Sequence, residues 1–286
     1  NFVLLSLTNL LGGTFFQVQN MIVPYTFLHG GNMNKLTLLN YRVWNIYLLL
    51  LVSLLLLGCS YAGKPTFKKC QDVCDGLVGY YPFFGNANDL SGNGNDGNVS
   101  GATLTNDRDE NVDSAYLFNG KDSYIEFPDL IKKDSYTLVA IVKALSTPEI
   151  TGKCSKSAII SQYQNGGLLY TKCSGPYGKH QFWYQMHKPH WSPLAERLPQ
   201  KGDTLNTYYH VAVTADKKTN TLSLYRNGGL ISRKKHENIE RLKELLIGIQ
   251  EKVELTKRKA LHGIIDEIRI YDRALSSEEI YKIFEK

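Results

Sequence analysis

The densest set of oxygen donors in the chain lies near position 90. Gly85-Asn86-Ala87-Asn88-Asp89-Leu90-Ser91-Gly92-Asn93-Gly94-Asn95-Asp96-Gly97-Asn98 holds four glycines, five asparagines and two aspartates. Glycine and asparagine supply the positive φ that tight turns need, so this stretch is a loop. Its carboxylates and amides are the ligands that a hard cation such as Ca²⁺ takes. No glutamate closes it at EF-hand distance. The same residues read equally as donors and acceptors of turn hydrogen bonds with no metal. A second acidic feature is Asp266-Glu267 inside a strand-like run. Neighbours on a strand point to opposite faces. If both sheet faces are covered, one of the two points inward, where a buried carboxylate needs a cation or hydrogen-bond donors.

Aromatic and histidine side chains cluster between Trp183 and Trp191. His187 and His190 lie in a loop punctuated by Pro189 and Pro193, with no acidic ligand beside them to complete a metal site. Trp191, with Trp183 and Tyr184, makes a candidate platform for stacking on a sugar ring. Strand alternation puts one of Trp183 and Tyr184 inside. Hydrolysis of a glycosidic bond needs two carboxylates across that bond. Asp266 and Glu267 side by side do not supply them, because the residues two further on are Ile268 and Arg269. The pair that a hydrolase reading could invoke is Glu126 with Glu267. Nucleophile elbows, phosphate loops and zinc-protease helices are absent from the sequence.

The elements that must position these groups are short strands. Candidates are 77–84, 98–105, 115–118, 124–127, 136–143, 158–163, 168–172, 181–186, 208–214, 222–226, 245–249 and 264–271, rich in Val, Ile, Tyr and Phe. Asn227-Gly228-Gly229 is a hairpin turn signal. Ser276-Ser277-Glu278-Glu279 makes a capping box ahead of Ile280, Ile283 and Phe284, and predicts one C-terminal helix. Residues 239–246 fit either a helical turn or a loop entering a strand at Leu245. Arg233-Lys234-Lys235-His236 reads as a solvated loop tip. The fold class expected is all-β, a two-sheet antiparallel sandwich with a short C-terminal helix.

Charge divides the chain. Residues 1–34 carry no Lys, Arg, Asp or Glu, and 35–58 add only Lys35 and Arg42. All but two of the 33 basic residues and all 27 acidic ones follow position 58, a net of +4. Nucleic acid is a poor partner for so balanced a domain. Met33, Lys35, Arg42 and the apolar run 46–57 have the order of a secretory signal peptide, and the run is shorter than the roughly 20 residues of a membrane span. Leu56-Leu57-Gly58-Cys59 resembles the lipobox of bacterial lipoproteins, whose Cys thiol is acylated. The rival is ordinary cleavage after Ala62. Residues 1–32 are expected to be an upstream extension, since glycine codons at Gly30-Gly31 can spell a ribosome-binding sequence; a second membrane-associated segment is the alternative. The expected organisation is therefore extension 1–32, signal 33–58, tether 59–75 and one domain over 76–286, exported and anchored in the cell envelope. With Cys59 lipidated or cleaved off, four cysteines are left, enough for two disulfides in an oxidising compartment. Cys154 and Cys173 flank a predicted hairpin and are expected to pair; Cys70 and Cys74 are then left to each other.

Several pieces in order carry a family likeness: Leu77-Val78-Gly79-Tyr80-Tyr81-Pro82-Phe83, Ala115-Tyr116-Leu117-Phe118-Asn119-Gly120, Tyr209-His210-Val211-Ala212-Val213-Thr214, and Gly263-Ile264-Ile265-Asp266-Glu267-Ile268-Arg269-Ile270-Tyr271. Together they resemble the laminin-G-like jelly rolls of the concanavalin A-like lectin and glucanase fold. The resemblance implies a sandwich that binds glycans or proteins and holds a structural Ca²⁺, with Asp89, Asn95 and Asp266 as the metal ligands. His210 falls where the family begins a strand, and its ordinary reading there is a packed or hydrogen-bonded histidine. The function expected is a non-catalytic, membrane-tethered binding module for a glycan or a cell-surface protein. Its rivals are a glycoside hydrolase of the same fold and a structural envelope lipoprotein.

Overall fold

The computed structural model describes residues 72–147, 154–162, 166–173, 180–186, 194–195, 205–250 and 259–286. The chain divides into two units, Asn1–Thr66 and Phe67–Lys286, and every described residue belongs to the second. The expected extension, signal and Cys59, most of the tether with Cys70, and His187, His190 and Trp191 lie outside the described residues.

Two antiparallel sheets pack face to face. The first runs β13(Gly229–Lys235)-β12(Thr221–Arg226)-β11(Tyr208–Asp216)-β6(Tyr136–Ala144)-β15(His262–Tyr271)-β4(Ala115–Asn119)-β3(Thr103–Thr105), with β1(Leu77–Tyr81) also pairing β15. The second runs β10(Leu194–Ala195)-β9(His180–Met186)-β8(Gly166–Cys173)-β7(Cys154–Gln162)-β14(Leu245–Ile247)-β5(Tyr124–Glu126)-β2(Asn98–Ser100). Alternation along the long strands builds the core between them. Leu138, Ala140 and Val142 of β6 meet Val211, Val213 and Ala215 of β11 on one side, and Ile160, Leu168, Tyr170 and Phe182 on the other. The hydroxyls of Tyr136 (β6) and Tyr184 (β9) share a buried hydrogen bond that ties the two sheets together.

Helix α1(Ser277–Phe284) forms as its capping box dictates. The Glu279 amide donates to Ser276 Oγ at 3.2 Å and the Ser276 amide to Glu279 Oε2 at 2.8 Å. Ile280 and Ile283 turn onto the outward face of the first sheet, against Val139, Ala212, Tyr225 and Tyr271. Arg273 fixes the approach with a bidentate pair to Glu279 at 2.7 and 3.0 Å.

Two sequence expectations are corrected and one open alternative is resolved. The single candidate strand 98–105 is two strands in different sheets: β2 pairs β5 and β3 pairs β4, with a turn at Gly101-Ala102. The basic run at Arg233-Lys234-Lys235 is not a loop tip but part of β13, the edge strand of the first sheet, where charge keeps an open ladder from pairing with another chain. Residues 239–244 form a loop and not a helical turn; Ile239 and Leu242 plug the core before β14 begins at Leu245.

Gly248 is a very close backbone approach in this core. Its φ is +82°, and a Cβ there would sit 2.1 Å from Phe118 Cδ1. Gly248→Ala should therefore cost about 2–3 kcal/mol from overpacking and a disfavoured φ, read as a lower urea midpoint.

Candidate functional site

The oxygen-rich loop covers a strand edge. β1 hydrogen-bonds β15 on one side, and the loop satisfies its other side. Asn93 Nδ2 donates to Leu77 O at 3.0 Å, Asn95 Nδ2 to Val78 O at 2.7 Å, the Tyr80 amide to Asp89 Oδ1 at 3.0 Å, and the Leu90 amide to Tyr80 O at 2.8 Å. Asp89 also accepts from the Ser91 amide, the Ser91 hydroxyl and the Asn95 amide, at 2.8 to 3.0 Å. Its carboxylate is thus filled by protein donors. Asp266 accepts instead from the backbone and guanidinium of Arg108, both at 3.1 Å. The expected calcium set of Asp89, Asn95 and Asp266 does not fit a cation: two carboxylates are engaged elsewhere and Asn95 turns its amide to β1. Among the described residues no group of three or more His, Cys, Asp or Glu could hold a metal ion.

β15 departs from simple alternation. Its register against β6 shifts between Ile265 and Glu267, which leaves Asp266 as the extra residue of a bulge. Ile265, Ile268 and Ile270 face the core, so the two residues between the first pair both face outward. Asp266 and Glu267 therefore share the outer face, where opposite faces were expected. Each has its own arginine. Arg269 Nε donates to Glu267 Oε1 at 2.6 Å, and its guanidinium lies 4.7 Å over the Tyr80 ring. Burial works against the Arg269 charge, but Glu267 more than offsets this and raises its pKa.

His210 sits beside this pair through the register: His210 of β11 is opposite Ile141 of β6, and Ile141 is opposite Glu267 of β15. It is 5% exposed, and neither ring nitrogen has a hydrogen-bond partner. The expected packed histidine is there, without the hydrogen bond.

On the outward face of the second sheet, β9 settles the Trp183 and Tyr184 alternative. Phe182 and Tyr184 point into the core, so Tyr184 is not a platform residue; its hydroxyl belongs to the inter-sheet bond. Trp183 points outward with Gln181 and Gln185. Lys156 Nζ lies 4.7 Å over its ring and donates to Gln185 Oε1 at 2.9 Å. The Trp183 Nε1 is buried with no partner. The suggested acid pair fails on geometry. Ile125 of β5 faces the core, so Glu126 faces outward from the second sheet, whereas Glu267 faces outward from the first. Two carboxylates on opposite outer faces of a sandwich whose sheets pack roughly 10 Å apart cannot flank one glycosidic bond.

Two predictions follow from this geometry. Calcium or EDTA should leave the melting temperature unchanged, while Asp89→Ala should lose about 2–3 kcal/mol with or without calcium, measured by urea unfolding. The second concerns pH. Burial pushes the Asp266 carboxyl from 3.8 up to about 6, against Arg108. Burial pushes His210 from 6.5 down to about 4, against the pull of Glu267. Between these limits folded Asp266 keeps a proton that the unfolded chain releases, so its share of stability falls as pH rises. Unfolded His210 meanwhile binds a proton that the folded ring refuses, so its share rises with pH. The slopes oppose in the native protein. Asp266→Asn should leave stability climbing from about pH 4 to 6.5, and His210→Leu should leave it falling from about pH 4 to 6, both seen in urea midpoints across pH.

A family model described as the concanavalin A-like lectin/glucanases superfamily, of laminin-G type, matches residues 119–281. A comparison with curated proteins gives no match. Among solved structures the chain is similar to the binding domain of botulinum neurotoxin serotype D, at 18% identity and a TM-score of 0.55, covering 74% of this chain and 52% of that one. It is similar also to the binding domain of Paraclostridial Mosquitocidal Protein 1, at 18% identity and a TM-score of 0.56, with 74% and 52% covered. A third is domain 4 of AbnA, a GH43 extracellular arabinanase from Geobacillus stearothermophilus, in complex with arabinotriose, at 18% identity and a TM-score of 0.52, covering 72% of this chain and 96% of that domain. The chain spans about half the length of the two toxin binding domains, and at these identities the likeness is one of fold. The two antiparallel sheets, the capped C-terminal helix and a family match over more than half its length agree: this chain belongs to the concanavalin A-like lectin/glucanases superfamily, as a laminin-G-like jelly roll.

Proposed function

We propose that the chain is a non-catalytic glycan-binding module of the cell envelope, exported and held to a membrane through an acylated Cys59. The observation that carries the glycan reading is Trp183. A large aromatic ring on an outward sheet face, among amide and ammonium side chains, offers a surface on which a sugar ring can stack. Two of the similar structures are named as binding domains, and the arabinanase domain was solved with a trisaccharide. The separation of Glu126 from Glu267 supports binding without hydrolysis.

Export is supported by the cysteines. β7 and β8 pair so that Cys154 and Cys173 are direct register partners, the arrangement a cross-strand disulfide needs. Cys74 is disulfide-bonded, and the proposal pairs it with Cys70.

A glycan array probed with the full chain tests the reading. The expected result is a restricted set of bound glycans, released unhydrolysed, with affinity at least tenfold weaker in Trp183→Ala. A blank array overturns glycan binding and favours the structural lipoprotein; cleavage of bound glycans favours the hydrolase.

A further inference from the structure

The outward face of the first sheet is only partly covered by α1, and a cavity of about 490 Å³ is left beside the helix. That is within the roughly 300–1,000 Å³ of small-molecule sites. We propose that this cavity is a second ligand site, one that takes a neutral, hydroxyl-bearing ring such as the terminal residue of a glycan. It lies on the opposite outer face from Trp183 and does not depend on that site.

His210 is the first ground. It lines the cavity, both its nitrogens lack partners, and it is uncharged at neutral pH. A neutral imidazole has one donor and one acceptor nitrogen. An anion can satisfy only the donor and a cation only the acceptor, whereas hydroxyl groups satisfy both. Tyr208 also lines the cavity, and its buried hydroxyl is likewise without a partner. Leaving such groups unfilled is unfavourable, because they lose their hydrogen bonds to water and gain none in return. Asn227 fixes the strand beneath them: its Oδ1 accepts from the His210 amide at 3.1 Å, and its own amide donates to His210 O at 2.8 Å.

Charge is the second ground. Five charged side chains line the cavity and each has an opposite partner: Glu267 with Arg269 at 2.6 Å, Arg269 with Asp72 at 3.9 Å, Lys286 with Asp72, and Arg108 with Asp266 at 3.1 Å. The wall mixes apolar and polar groups, and its charged side chains are all paired, so none is left to attract an ion.

The mouth is the third. Phe84 and Phe284 line the cavity and are 43% and 38% exposed, two aromatic edges able to cover the apolar face of a sugar ring. Phe84 owes its place to Phe83, whose φ of 56° is rare for a bulky side chain. That turn sends Phe83 into the core and leaves Phe84 at the surface.

The test uses the full chain in a Trp183→Ala background, so that the other face is silent. Saturation-transfer NMR is run with the methyl glycosides of glucose, galactose, mannose and arabinose, with glucosamine and sialic acid as charged controls. The expected result is binding of at least one neutral glycoside, weakened at least tenfold by His210→Leu and by Ile141→Phe, which fills the cavity floor and leaves His210 in place. If His210→Leu does not fold, Ile141→Phe decides alone. The inference is overturned if no neutral glycoside binds and the cavity holds water only, if binding survives both substitutions, or if only the charged sugars bind. Loss of array binding in Trp183→Ala together with silence here would overturn this site and leave the Trp183 reading standing.

Discussion

The bulge at Asp266 is the constraint on which the first sheet depends. β15 pairs with β6, β4 and β1, so its register is shared by half the sheet. Without the extra residue, strict alternation would send one of Asp266 and Glu267 between the sheets, among Ile265, Ile268 and the tyrosines and phenylalanines of the core. An unpaired carboxylate there costs several kcal/mol. A bulge gives up roughly one ladder hydrogen bond, about 1 kcal/mol net. The bulge is the cheaper solution, and it has a consequence: two acids on one outward face call for two arginines. Arg108 and Arg269 answer from different elements, the turn between β3 and β4 and β15 itself, and so fix the polar wall of the cavity.

Strand edges are the other constraint. The first sheet ends at β13, where Arg233, Lys234 and Lys235 leave the ladder unattractive to another chain. β1 branches from β15 with an open side that has no neighbouring strand. The loop from Gly85 to Asn98 closes that side with side chains, because asparagine and aspartate can imitate the donors and acceptors of a missing strand. A composition suited to calcium is equally suited to this work. Asp89 has four accepted hydrogen bonds in the folded state, each charge-assisted, and a cation would have to displace them.

Alternation in the sequence was sufficient for the sandwich, and the capping box for α1, because each is a local rule with a local cause. The hairpin of β7 and β8 was readable for the same reason: Asn165-Gly166-Gly167 is a turn signal in the sequence, and the two strands that flank it pair in register from Cys154 and Cys173 to Gln162 and Gly166. What escaped was whatever depends on a partner strand. Alternation says that Trp183 and Tyr184 face opposite ways, but the phase is set by Tyr136, whose hydroxyl meets Tyr184 from the other sheet. The change of sheet between β2 and β3 takes only Gly101-Ala102, too short to register as a break in an otherwise strand-like run. The bulge is silent in sequence, since Ile265-Asp266-Glu267-Ile268 fits an unbroken strand until the core is assembled around it.

The cavity survives because the helix is held to one side of it. The β12–β13 turn runs beneath the last turn of α1, and a Cβ at Gly228 would stand 2.8 Å from Phe284 and 2.9 Å from Tyr281. A glycine there lets the helix settle onto the turn, which carries Phe284 to within 5.7 Å of the His210 ring, between ring centroids. The adjacent Asn227 at φ 46° anchors the His210 backbone. Helix, turn and histidine are thus positioned by one short segment. Had the same surface only to be stable, a larger apolar residue at position 210 or 141 would fill the space and remove two unpartnered nitrogens. A fold that spends its outer face on a capped helix, two arginine-held acids and an unfilled histidine keeps a cost that packing alone could have avoided, which is the pattern expected where stability has been given up for binding.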